Sequence, residues 1–159
     1  MLNRFARFSL AISEIDRCWH KLAAEEMAKY ELNSPHAVYL TALYTFKEGV
    51  TAAKLGELCC KNKADVSRMV SIMEQKGLVT RESVSNNLYR GLLKLTGVGM
   101  EAAEFVCRRV KVAVDLASAG LDADRRKHLY DSLELISGNL RRISAEGLPE
   151  SVDTEGAPV

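Results

Sequence analysis

No stretch of about 18 apolar residues occurs in this 159-residue chain, so no membrane-spanning helix is expected. The opening segment MLNRFARFSLAISEIDRCWH carries charge inside its apolar stretch and has no small-residue cleavage site, which argues against a secretory leader. The four cysteines (Cys18, Cys59, Cys60 and Cys107) form no CxxC pair and suggest no disulfide framework. A reducing cytoplasm is the expected compartment. Prolines number only three, at positions 35, 149 and 158, so long helices are permitted over most of the chain. No sign of charge dominates: 22 basic against 21 acidic residues leaves +1, too little for a wholesale polycation. Catalytic constellations are missing too. His20, His36 and His128 are scattered and no serine, histidine and acid cluster together, so neither an enzyme nor a metal site nor a cofactor is expected. The run GVGMEA at 97–102 formally matches a dinucleotide fingerprint, but no βαβ unit surrounds it, and a helix start is the better reading.

What is present is a soluble, globular composition, 47% hydrophobic and 27% charged, with its charge unevenly spread. Residues 51–94 hold 8 basic and 4 acidic side chains, between a neutral segment and an acidic one. Hydrophobic spacing then divides the chain. Residues 3–30 read as a helix with a seam of Phe5, Phe8, Ile12, Ile15, Trp19 and Leu22. Ser34-Pro35 reads as the cap and first turn of a second helix, which Gly49 stops after Glu48. Thr51 can cap a short third helix with Leu55, Leu58 and Cys59 on one face, and Asn62 a fourth that ends at Gly77. LVTRESV and RGLLKL are β-prone runs joined by an asparagine-containing turn. Thr96 can cap a fifth helix and Asp122 a sixth, whose seam is Leu129, Leu133, Ile136, Leu140 and Ile143. The fold expected is mainly α with a small β-hairpin wing: a winged helix-turn-helix over 34–96 and helical dimerisation segments at 1–33 and 97–146. The polar stretch 147–159 reads as a disordered tail.

The fourth helix carries the functional signal. At 100° per residue Val66, Met69, Val70 and Met73 share a core face. Ala64, Ser67, Arg68, Ser71 and Gln75 share the opposite face, with Lys61 and Lys63 at its entrance. Small residues let the backbone approach a major groove, and Ser, Arg and Gln match base edges or phosphates. The bland alternative is an ordinary solvated helix face.

The segments T-x-x-x-L at 51–55, V-S-R-M-V at 66–70, E-Q-K-G-L-V at 74–79, Arg81 and L-T at 95–96 resemble the MarR family of winged-helix transcription regulators. The resemblance implies a homodimer on double-stranded DNA, most often a repressor. One recognition helix per subunit would enter the major groove, and Arg81, Asn86, Asn87 and Arg90 would serve the wing. The tip here, SNNLYRG, departs from the family habit of Asp-x-Arg by lacking the aspartate. The resemblance also implies a cavity for a small aromatic or phenolic effector, for which Phe8, Ile12, Trp19, His36 and Tyr39 are candidate walls and Arg17 a carboxylate partner. Two other readings stay open. Cys60, beside Lys61 and Lys63, could make a thiol-based redox switch, since neighbouring cations favour the thiolate. The winged domain could instead bind a protein partner and no DNA.

Overall fold

The computed structural model describes residues 3–84 and 87–148, with the backbone alone over 83–84 and 87–90. The elements run α1 (Arg4–Met27), a 3₁₀ turn (Ala28–Tyr30), α2 (His36–Thr45), β1 (Val50–Thr51), α3 (Ala52–Cys59), α4 (Lys63–Gln75), β2 (Val79–Val84), β3 (Asn87–Leu95), α5 (Gly97–Ala117) and α6 (Ala123–Glu146). The order of the six helices and the mainly helical class agree with the sequence reading, while strand β1 is an addition to it. None of the described helices is long and apolar enough to cross a membrane.

Local chemistry places most of the helix ends. Asn3, Thr51, Asn62 and Asp122 each cap a helix by accepting a backbone N–H three residues on. Helix α4 ends at Gly77, whose φ of +69° suits a residue without a Cβ. There the Leu78 N–H reaches the Met73 carbonyl at 2.9 Å and the Gly77 N–H reaches that of Glu74 at 3.0 Å. This pair of bonds is the Schellman closure, and the C-terminal carbonyls it satisfies would otherwise lack partners.

Four expectations need correction. Helix α1 stops at Met27 and tightens into the 3₁₀ turn instead of running evenly to 30. Ser34 makes no side-chain cap: Pro35 precedes α2 in helical geometry, and the His36 Nδ1 meets the Asn33 backbone instead. Helix α2 ends at Thr45, before Glu48, and Gly49 follows in the next turn with its N–H bonded to the Phe46 carbonyl. Leu58 is exposed and does not join Leu55 and Cys59: at about 100° per residue it sits roughly 60° to one side of Leu55 and 100° from Cys59, at the edge of the buried stripe.

The wing is part of a three-stranded antiparallel sheet, ordered β1-β3-β2. Val50 pairs with Leu93 and Thr51 with Leu92, while Arg81 faces Leu93 from the other side. Leu93 on the central strand is wholly buried. The core joins Tyr39, Leu40 and Leu43 of α2 with Leu55 of α3 and Val66, Val70 and Met73 of α4. Leu78, Leu93, and Ala102, Ala103 and Val106 of α5 also belong to it, as does Met27 of α1. The chain divides into two compact units, Met1–Ala113 and Val114–Val159, and this core lies in the first. The hydrophobic seams are left open: Phe5, Phe8, Ile12, Ile15, Trp19 and Leu22 on α1 are exposed, as are Leu129, Leu133 and Leu140 on α6. Of the polar tail, residues 149–159 lie outside the described chain.

Candidate nucleic-acid interface

The helix-turn-helix is built from α3, the turn Cys60-Lys61-Asn62 and α4. Its turn is closed by Cys60 N–H to the Glu57 carbonyl at 3.2 Å and Lys61 N–H to that of Gly56 at 2.9 Å. Cys60 thereby takes a left-handed φ of +53°, a conformation that usually falls to glycine or asparagine. Asn62 then starts α4. Val66, Val70 and Met73 turn into the core, and Met69 packs against it half-buried. Burying these side chains fixes which face of α4 remains outside.

That outer face holds Lys63, Ala64, Ser67, Arg68, Ser71 and Gln75, all exposed, with exposed Lys61 just before the helix. The seven residues singled out on and before α4 thus share one free surface. Among the described residues, Lys61 and Lys63 pair with no carboxylate. Arg68 donates from Nη2 to Asp65 Oδ1 at 3.0 Å, on the same helix. Arg81 stands apart from this face: it is half-buried and faces Glu74 at 3.5 Å. Asn86 lies outside the described residues. Asn87 and Arg90 fall in the part of β3, residues 87–90, of which only the backbone is described.

A shallow cleft of about 180 Å³ opens beside α4, lined by Pro35, Tyr39, Lys61, Asp65, Arg68 and Met69. Tyr39 is 1% exposed, and among the described residues its hydroxyl has no hydrogen-bond partner. Burial, helped by nearby Cys59 and Asp65, pushes its pKa up to about 12. The His36 Nε2 is likewise buried with no partner among the described residues, and burial holds its pKa below the ordinary histidine value. Of the six residues considered for an effector, Phe8, Ile12, Arg17 and Trp19 are exposed on α1, whereas His36 and Tyr39 are buried on α2. Only Tyr39 of the six lines this cleft.

The cysteines divide by accessibility. Cys60 is exposed, while Cys59 is buried with its thiol pushed up to about 11 by desolvation. Among the described residues no group of three or more His, Cys, Asp or Glu side chains could hold a metal ion.

The sequence of this region is similar to a known family. Residues 32–88 match the model of the MarR family. Over this stretch the winged domain is similar to the MarR family. Solved structures agree in fold. A MarR-family transcriptional regulator from Listeria monocytogenes, complexed with a 26mer DNA, superposes with a TM-score of 0.79 at 20% identity, covering 96% of this chain and 100% of that one. The S. aureus MepR–DNA complex gives 0.75 at 16% identity, over 83% of this chain and 97% of that one. A SlyA-like transcription regulator from Listeria monocytogenes gives 0.76 at 21%, over 89% and 96%. One residue of this domain escapes sequence reasoning, namely Asp65, which touches both the cap residue and Arg68. The signal available was the spacing of three in Asn62, Asp65 and Arg68, which stacks them along one helical stripe.

Proposed function

We propose that this protein is a homodimeric, sequence-specific transcription regulator that reads double-stranded DNA through α4, acting as a repressor released by a small aromatic or phenolic effector. The observation that carries the reading is the exposed face of Lys63, Ala64, Ser67, Arg68, Ser71 and Gln75, small near the backbone and cationic at its entrance. Such a face suits the major groove, where Arg reads guanine and Gln reads adenine. Two of the structures sharing this fold contain DNA, which supports the same use here. The wing arginine would be Arg90, with Asn86 and Asn87 at the tip and Arg81 at the base. In a dimer the half-sites would lie about one helical turn, roughly 34 Å, apart.

Selection of bound duplexes from a random library tests the reading directly. Arg68→Ala should then cost on the order of 1–3 kcal/mol on the selected duplex and relax specificity at one position. Lys63→Ala should weaken all duplexes alike and flatten the salt dependence by about one unit of slope. Unchanged affinity in both variants would show that the wrong face, or the wrong function, had been chosen. Release is tested by titrating aromatic acids and phenols into the protein–DNA complex. A coupling of about 1–3 kcal/mol would lower affinity roughly 5- to 150-fold.

A thiol switch is the second reading of the regulation, favoured by the exposure of Cys60 in the turn beside Lys61 and Lys63. Oxidation there would place bulk next to the DNA. Loss of affinity on oxidation, recovery with reductant and insensitivity of Cys60→Ser would support it.

A further inference from the structure

The face of α4 proposed to meet DNA carries one acid at its edge, and that acid is held from both sides. Asn62 Oδ1 accepts the Asp65 N–H at 2.9 Å, and Asn62 Nδ2 donates to Asp65 Oδ2 at 3.0 Å. The other carboxylate oxygen, Oδ1, accepts from Arg68 Nη2 at 3.0 Å. The helix cap therefore fixes an amide, the amide fixes a carboxylate, and the carboxylate fixes a guanidinium. Arg68 spends one of its five N–H donors in this chain and keeps the rest for another partner.

Stability alone accounts poorly for the arrangement. The Arg68 and Asp65 side chains are 65% and 36% exposed, and pairs of that kind contribute little to folding. An acid in the first turn does favour the helix dipole, but any acid there would serve, without an arginine held to it. A carboxylate facing phosphates also opposes DNA binding in general. What remains is its geometric effect on Arg68.

We propose that Asp65 is a positioning residue for sequence discrimination: it holds the Arg68 guanidinium toward a base edge and keeps it off the phosphate backbone. This rests on the DNA-binding reading of α4. A guanidinium released from Asp65 would settle on the nearest phosphate, which is the stronger and sequence-independent attraction. Affinity for arbitrary DNA should then rise while discrimination falls, a combination that loss of a merely structural acid would not produce.

The test uses the full-length protein, the duplex it selects from a random library, and a scrambled duplex as competitor. Asp65→Ala should bind the scrambled duplex about threefold to tenfold more tightly, and its salt dependence should steepen by about 0.9 unit of slope for the added phosphate contact. The ratio of selected to scrambled affinity should fall by about tenfold, the scale of one bidentate base contact. Asp65→Asn keeps an acceptor oxygen for Nη2 and should retain most of the ratio. In an Arg68→Ala background, Asp65→Ala should change the ratio no further. The proposal is overturned if Asp65→Ala weakens both duplexes in proportion to a lowered melting temperature, since Asp65 would then only support the cap. It is equally overturned if the loss of discrimination persists without Arg68. A folded wild-type protein that selects no duplex would remove the DNA-binding reading itself, and this inference with it.

Discussion

The carbonyl oxygen of Leu78 lies so close over Gly99 that a Cβ built there would sit 1.8 Å from it. The same carbonyl accepts the Thr96 N–H at 3.0 Å. Thr96 Oγ1 in turn donates to the Gly77 carbonyl at 2.6 Å and accepts the Gly99 N–H at 3.0 Å. The first turn of α5 is thus fastened directly to the residues that close α4. The glycines of GVGMEA serve this contact and not a dinucleotide.

Gly99→Ala should therefore force the backbone apart and cost about 3 kcal/mol, at the upper end of overpacking effects. Gly97→Ala is the control. A Cβ at Gly97 meets nothing within 4 Å, so this change should be neutral or stabilising by up to about 1 kcal/mol through helix propensity. Urea denaturation of the two variants decides the matter. Equal stabilities would show that the α4–α5 junction yields freely.

Buried titratable groups set the pH range of stability. Burial lowers the His36 pKa below its usual 6.5, so its contribution is full above that value and is lost as pH falls through the folded one. Glu26 is lowered by hydrogen bonds from Lys29 and Arg109, so its contribution is present above about 4.5 and lost below. Tyr39 and Cys59 act at the other end. Their pKa values rise to about 12 and about 11 from 10.0 and 9.0, so their contributions hold below pH 9 and are lost as pH climbs through 11 and 12. Thermal midpoints measured against pH should form a plateau between roughly pH 7 and 9, falling on both sides. His36→Gln should flatten the part of the acid flank that begins just below pH 6.5. An unchanged flank would remove His36 from the account.

Thiol reactivity should follow burial. At pH 8 a neutral alkylating reagent should modify exposed Cys60 and Cys18 at least tenfold faster than Cys59, whose thiolate fraction is suppressed by its raised pKa. Mass mapping of the alkylated cysteines over time checks this. Comparable rates at Cys59 and Cys60 would mean that α3 opens readily.

How much of this was legible in the sequence depends on how local the chemistry is. The caps at Thr51, Asn62 and Asp122 and the stop at Gly77 could be read because each is settled within a few residues. Strand β1 could not, because Val50–Thr51 becomes a strand only by pairing with Leu92 and Leu93, some forty residues away. Ser34 misled because Pro35 enters α2 in helical geometry and the His36 ring takes the cap's place at Asn33. Tyr39 sits on a helix that is apolar nearly all round, so no periodicity could show that it lines the cleft beside Arg68. The outer face of α4 was legible because Val66, Val70 and Met73 mark its inner face at helical spacing.

The exposed seams give the last prediction. Phe5 is 78% exposed and Ile15 67%, with Phe8, Ile12, Trp19 and Leu22 along the same stripe of α1. Covering one such side chain contributes roughly 1.5–3 kcal/mol, so six left in water represent a large unrealised gain. A second copy of the chain is the cover that a two-fold regulator would supply, with the same patch on both partners. Ile12→Asp together with Ile15→Asp places two charges per subunit in that stripe. Each is costly to bury unpaired. Because these side chains are solvent-exposed within one chain, the winged core of Leu40, Leu55, Val70 and Leu93 has no part in them and should still fold. The doubly substituted protein should sediment as a monomer with wild-type near-ultraviolet circular dichroism in the tyrosine region, and its affinity for a two-half-site duplex should fall at least tenfold. A folded variant of unchanged sedimenting mass would sink the α1-mediated dimer.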